Sequence, residues 1–387
     1  MQKSLDTKLA NIHRDPSGSK DFILADAKDA DMATGLAATG VDHATGKRRS
    51  LADYRNQMRE ITRQGLVDIM LMSASSCEAL AIQEKLFESS AITPAARAND
   101  TTDIHLPAGG TYAAEPSRPF RSATIDHIQA GKTNPTPDER KRGANLGLYS
   151  ITPNNRLEFD YITLNAYKEF RLEAESKGFR HFLEVFDPNA CGEKCPADLG
   201  RFINDLIVRT LAGVPTSGRP IFLKIAYHGP KALEELVQYD PHLVVGILGG
   251  ASGTTFDAFK LLEDTKKYGG RAALFGRKIN NSEHQLTFVS YLRAIADGKI
   301  AAAEAVKAYH GDLQKLGLKP IRSLKDDLEA TITATAYSGT SAPATVKKSK
   351  PAVSASASPD FKSMTSAQKV ALSLQRIREG INGGGLR

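Results

Sequence analysis

The chain is predicted to fold as an α/β protein, a closed (β/α)8 barrel, and three observations carry that expectation. Eight short apolar runs alternate with longer segments of helical period across roughly 260 residues. Most of these runs are continuously apolar rather than alternating, as strands of a parallel sheet covered by helices should be. No Gly-x-Gly-x-x-Gly turn follows the first run, which disfavours the competing open, doubly wound sheet. Eight units in this order match the TIM barrel.

In chain order the expected strands are Asp21–Ala27, Asp68–Ala74, Ile92–Asn99, Leu146–Thr152, Arg180–Phe186, Arg219–Tyr227, His242–Gly250 and Arg271–Arg277. Helices are expected between most of them. Ser50 is placed to cap "LADYRNQMREITRQ", "GPKALEELVQYD" follows the sixth strand, and "TTFDAFKLLEDTKKYGG" ends in a glycine pair suited to a helix C-terminus. The third strand is followed by an insertion, about 106–145, rich in Pro, Gly and charge, of the kind that serves as a lid, an interface arm or a disordered segment.

Beyond the barrel domain, 1–330, the composition changes. Residues 331–359 are rich in Ala, Ser, Thr, Pro and Lys and are expected to form a flexible linker. Within 360–387, Ala367, Val370, Ala371, Leu374, Ile377 and Ile381 fall on one face of a short amphipathic helix, expected to be largely unfolded by itself. Such a helix on a linker resembles the encapsulation peptides of bacterial microcompartments, which implies contact with a shell; the alternatives are docking on the parent oligomer and fraying.

Of the net charge of +7, the segment from Thr331 onward contributes +6, with eight basic and two acidic residues. The barrel is therefore nearly neutral and lacks a basic, aromatic-studded stripe, so nucleic acid is not an expected partner. No run approaches the roughly 20 apolar residues of a membrane span, and the first twenty residues lack the apolar core of a secretion signal. Cytoplasmic location is the expectation. Cys191 and Cys195 form a C-x3-C pair without further zinc ligands nearby, and Cys77 stands alone, which reads as reduced thiols and no metal.

The residue that calls for chemistry is Lys224, in the middle of the apolar run "PIFLKIAY". A buried ammonium is costly unless it is paired or neutralised. Active groups of such barrels lie late in the strands and in the loops that follow. That rule collects Asp26 and Lys28 on the first strand, Asn99 and Asp100 after the third, Tyr149 on the fourth, Glu184 on the fifth, and Lys224 and Tyr227 on the sixth. "GGASGTT" after strand seven and "FGRKINN" after strand eight offer backbone N–H groups, a helix N-terminus at Gly253 and Thr254, and the Arg277 fork, features that suit a phosphate. Glu184 has a plain structural alternative as the ion-pair partner of Lys224.

The stretches "FLKIAYHGP", "VVGILGGASG" and "AALFGRKI" resemble the closing third of the archaeal-type class I fructose-bisphosphate aldolases, relatives of the deoxyribose-phosphate and tagatose-bisphosphate aldolases. The resemblance covers about Arg219–Asn280 and is topological before that. It implies that Lys224 forms a Schiff base and that Gly249, Gly250, Gly276 and Arg277 hold a substrate phosphate. It places Tyr149 at the proton-transfer tyrosine and Asp26 at the first-strand aspartate. The family commonly has Asp-His-Gly after the first strand, whereas this chain has "ADAKDADMA", so the implied chemistry is retained while the sugar phosphate is left open.

On chemical grounds a nucleophilic lysine must be neutral, and its ordinary pKa near about 10.4 prevents that at pH 7 unless burial or a second cation such as Lys28 lowers it. The expected reaction is reversible cleavage of a phosphorylated ketose through an imine, with Tyr149 or Glu184 moving the proton, Asp26 orienting a hydroxyl, and no cofactor. A homo-oligomer is expected. Three alternatives stand beside this reading: a Schiff-base transaldolase, a lyase of another phosphorylated keto acid, and a barrel that binds or scaffolds without turnover.

Overall fold

The computed structural model describes residues 1–42, 45–250 and 253–331. The linker from 332 onward and the amphipathic helix expected in 360–387 lie outside the described residues. Eight parallel strands close into a barrel: β1 Ile23–Lys28, β2 Ile69–Met72, β3 Thr93–Arg97, β4 Leu146–Ile151, β5 Arg180–Val185, β6 Leu223–Ile225, β7 Val245–Leu248 and β8 Ala272–Phe275. Each pairs with the next, and β8 pairs with β1. β6 is shorter than its apolar run because Pro220 has no N–H to give the ladder and a turn over Thr216–Gly218 precedes it.

A barrel strand buries both faces, and the two faces make two cores. Ile23, Ala25, Ile69, Leu71, Ala95, Leu146, Leu148, Phe182, Ala272 and Leu274 fill the interior. Their neighbours in sequence, among them Leu24, Met70, Tyr149, Leu183, Leu223, Ile247 and Phe275, pack outward under the helices. Helix α1 (Ser4–Arg14) turns Leu5, Leu9 and Ile12 into the interior cluster and closes the barrel at its N-terminal end, a role its sequence does not announce.

The outer helices follow the sequence signals. In α2 (Leu51–Gln64) Ser50 and Asp53 form the reciprocal capping box, and Gly65, at φ 75°, ends the helix. The others are α3 (Ile125–Ala130), α4 (Leu157–Ser176), α5 (Leu199–Ala212), α6 (Pro230–Tyr239), α7 (Thr255–Lys267), α8 (Gln285–Ala296) and α9 (Ala302–Lys315). Among the described residues no helix is long and apolar enough to cross a membrane.

The insertion is ordered structure fastened to the barrel. Ile125 and Ile128 of α3 are fully buried. Asp100–Thr101 pairs antiparallel with Pro119–Phe120, and Asn189, in the loop after β5, donates to the carbonyls of Ala113 and Glu115. One expectation is overturned here. Cys191 and Cys195 are joined as a disulfide. The turn Gly192–Lys194 brings their Cα atoms to 4.8 Å, within the span a disulfide bridges. Cys77 is a buried thiol whose pKa burial raises to about 12, so it is chemically quiet.

Candidate active site

The period of two along each strand decides which side chains reach the interior. Register sets Ser150, Glu184 and Lys224 side by side on β4, β5 and β6. All three continue the inward rows begun by Leu148, Phe182 and Phe222, and Arg97 does so on β3 after Ala95. The uppermost layer of the interior is thus polar, over layers that are apolar.

These four groups form one network. Lys224 Nζ lies 2.5 Å from Glu184 Oε1. The other carboxylate oxygen accepts from Ser150 Oγ at 2.7 Å and from Arg97 Nη2 at 3.5 Å. Arg97 also donates to Ser150 Oγ at 3.0 Å and, through Nε, to Asp29 Oδ2 at 2.6 Å. Lys224 is 7% exposed and Glu184 1%, so the pair sits where Coulomb attraction is weakly screened and its exact partners matter.

A cavity of about 70 Å³ lies over the lysine and is bounded by Lys224, Glu184, Arg97, Asp29, Gly249, Gly250, Gly276 and Arg277. The structure therefore brings together Lys224, Glu184 and the four expected phosphate contacts. Two of these glycines are sterically required. A Cβ on Gly276 would stand 2.5 Å from the Ala27 carbonyl oxygen, and one on Gly249 would stand 2.4 Å from the Phe275 ring. Gly250 adopts φ 60°, which glycine takes without strain. Above the cavity, Ala33, Ile104, Phe186, Ala226 and Leu248 form a small apolar cluster across the barrel mouth. Leu106 N–H donates to Ala33 O at 3.1 Å, which ties the insertion to the β1 loop there.

Several expected residues lie elsewhere. Tyr149 is one position out of phase with Ser150 and faces outward, with its ring 4.4 Å from Phe170 and 5.2 Å from Tyr167, both on α4. Burial there raises the phenol's pKa above its ordinary value. Asp26 and Lys28 occupy the outward row of β1, 3.7 Å apart and fully buried. Lys28 donates to Gln285 Oε1 at 2.8 Å and lies 5.7 Å from the centre of the Tyr54 ring, so it is not the cation beside Lys224. Burial raises the Asp26 carboxyl to about 6 against the opposing pull of Lys28.

Asn99 bridges β3 to β4 by exchanging hydrogen bonds with Ser150 N–H and C=O. Asp100 accepts from Ser122 Oγ and N–H. Tyr227 packs against the outer core. The α7 N-terminus, expected to be open, is filled by the chain's own carboxylates. Thr254 N–H donates to Asp257 Oδ2 at 2.8 Å and Thr255 N–H to Asp327 Oδ1 at 2.7 Å. Of the groups expected around a phosphate, Gly249, Gly250, Gly276 and Arg277 are the ones that line the cavity at Lys224.

Sequence reasoning passed over Arg97, Asp29 and Ser150. The signal for Arg97 was present: a charge in an apolar strand, the same feature that singled out Lys224. Among the described residues, no three His, Cys, Asp or Glu side chains gather as metal ligands would.

No family model and no curated protein sequence matches the chain. Solved structures do. An archaeal fructose 1,6-bisphosphate aldolase superposes with a TM-score of 0.53 at 14% identity, covering 75% of this chain and 99% of that one. A Schiff-base-forming fructose-1,6-bisphosphate aldolase gives 0.53 at 15%, covering 76% and 100%. The fructose-bisphosphate aldolase of Slackia heliotrinireducens gives 0.57 at 14%, covering 79% and 91%. At these identities the likeness is one of fold, and the fold is that of a (β/α)8 barrel.

Proposed function

We propose that the protein is a class I, Schiff-base-forming carbon–carbon lyase that reversibly cleaves a phosphorylated ketose on Lys224. The observation that carries this reading is the 2.5 Å pair of Lys224 and Glu184 on a cavity that Gly249, Gly250, Gly276 and Arg277 also line. Solved aldolases with the same fold support it.

Glu184 is in place to take the ammonium proton, which frees the amine to attack the substrate carbonyl. The carbinolamine then loses water with a proton returned by Glu184, giving the iminium. With that electron sink formed, a base removes the proton of the hydroxyl on the far side of the scissile C–C bond, the bond breaks, and the aldehyde leaves; the enamine left on Lys224 takes a proton at carbon, and water hydrolyses the resulting iminium to release the ketone and the free amine. Glu184 is the group beside the lysine that can do this work. Tyr149 and Asp26, on the outward rows, are given no step. Arg97 and Ser150 hold the second oxygen of Glu184 and keep the first aimed at Lys224. Arg277 and the glycine N–H groups would receive the phosphate.

Fructose 1,6-bisphosphate tests this as substrate. Wild type should release dihydroxyacetone phosphate, and Lys224→Met should lose on the order of 10³-fold or more in kcat/KM. Equal rates in the two proteins would end the reading. The small cavity under the apolar cluster favours one rival, a barrel whose lysine is only a structural ion-pair partner; that rival predicts no cleavage of any ketose phosphate by either protein.

A further inference from the structure

Beside the cavity at Lys224 lies a second, much larger one of about 880 Å³. The two share Ala27, Ala30, Thr34, Gly276 and Arg277 as walls, so Arg277 stands at the junction between them. The volumes are unequal in a way that bears on the substrate. A single water-sized probe needs about 10–15 Å³, so the inner cavity admits only a few heavy atoms. The outer one falls in the range of about 300–1,000 Å³ typical of sites for sizeable small molecules.

The chemistry of the outer walls is also lopsided. Leu36 and Ala37, from the turn after β1, and Leu106, Pro107 and Ala108, at the start of the insertion, supply an apolar surface. Leu36 is 86% exposed, and in this position it faces water until something covers it. The polar part of the lining is smaller: Asn280, Asn281 and Arg277, with Arg48 as a second cation. A compact sugar bisphosphate, polar at every carbon, would leave such a wall uncovered and would desolvate its own hydroxyls against it.

Building on the Schiff-base reading, we propose that the substrate is a phosphorylated carbonyl compound with a long, predominantly apolar body. Its carbonyl enters the inner cavity to meet Lys224, its anionic group lies at the Arg277 junction, and the apolar body fills the outer cavity. The reaction stays an aldol cleavage or addition. In the synthetic direction a proton leaves the carbon next to the iminium, that carbon bonds to the acceptor's carbonyl carbon, and the acceptor oxygen gains a proton. No oxidant or co-reactant is involved.

The test runs in the synthetic direction, with dihydroxyacetone phosphate as donor and either 3-phenylpropanal or glyceraldehyde 3-phosphate as acceptor. Borohydride trapping of the donor imine is measured in parallel. Wild type should prefer 3-phenylpropanal by about tenfold or more in kcat/KM. Ala108→Trp, which narrows the outer cavity, should lose about tenfold on 3-phenylpropanal and less on glyceraldehyde 3-phosphate, while trapping of the donor imine stays within about twofold. Leu36→Asp, which places a charge on the apolar wall, should give the same selective loss. An imine that forms normally together with no preference in wild type, or with equal effects on both acceptors in both variants, overturns this proposal alone. Absence of any imine in wild type overturns the Schiff-base reading and this proposal with it.

Discussion

Replacing Glu184 with glutamine removes the one negative charge that Lys224 and Arg97 share. With contacts of 2.5 Å and 3.5 Å, the gross attractions are about 7 and about 5 kcal/mol at an effective dielectric near 20. Desolvation of the three groups offsets much of this, and breaking a buried pair from one side costs about 3–5 kcal/mol. The two cations do not suffer equally. Arg97 keeps Asp29 at 2.6 Å, whereas Lys224 has no second carboxylate within ion-pair reach among the described residues. The damage therefore concentrates on Lys224. Urea unfolding should show Glu184→Gln about 3–5 kcal/mol less stable than wild type. The double variant with Lys224→Met should lose less than the sum of the single losses, because the second change removes the stranded charge. Imine formation with dihydroxyacetone phosphate should slow by about 10²–10⁴-fold in Glu184→Gln, the usual weight of a positioned proton-transfer group. A variant within about 0.5 kcal/mol of wild type, the range of ordinary surface changes, would refute the claim that the buried ion pair organises the site.

Four further outcomes follow from the same geometry. Tyr149→Phe should leave kcat/KM within about twofold, whereas Ser150→Ala, one residue away but inward, should lower it about tenfold or more by releasing Glu184; steady-state kinetics on both variants checks this. Gly276→Ala should cost about 1–3 kcal/mol in thermal or urea unfolding, since the new Cβ meets the Ala27 carbonyl at 2.5 Å. Lys278 is held from 10.5 down to about 8, chiefly by burial and against the pull of Asp327. Between those values the unfolded chain binds more protons than the folded one, so stability rises with pH across the window, by up to about 3 kcal/mol. Unfolding at pH 7 and pH 10 should show a larger rise in wild type than in Lys278→Met, where other buried lysines such as Lys28 still contribute. Asp26 is the opposite case: its folded pKa of about 6 exceeds the unfolded 3.8, so its contribution falls as pH rises between them, and Asp26→Asn should flatten that part of the curve.

The number and order of the barrel strands were legible because each is a short apolar run bounded by turn residues. Lys224 was legible because a charge inside such a run needs an explanation. The face of each strand was not legible, and the reason is physical. In β1 and β4 both faces are buried, so polarity does not alternate with a period of two, and nothing in "ILADAK" or "LGLYSI" marks which residues look inward. Tyr149 and Asp26 were drawn to the site by position late in a strand, and each is one step out of phase with it. What separates Ser150 from its neighbour is the register against β5 and the bulk of α4, where Phe170 and Tyr167 receive the tyrosine ring. The cysteine pair shows a similar limit. A spacing of four residues permits both reduced thiols and a bond, and only the turn over Gly192–Lys194 decides. The outer cavity is walled by the insertion where it meets the β1 loop, a contact between segments some 70 residues apart that no local pattern encodes.

The central claim, that the Lys224 amine meets a carbonyl, has a direct measurement. Protein mixed with dihydroxyacetone phosphate and sodium borohydride is digested and its peptides are weighed. A reduced adduct on the peptide containing Lys224, absent without the ketone and absent in Lys224→Met, is the result expected. An adduct on another lysine such as Lys28, or no adduct in wild type, would contradict it.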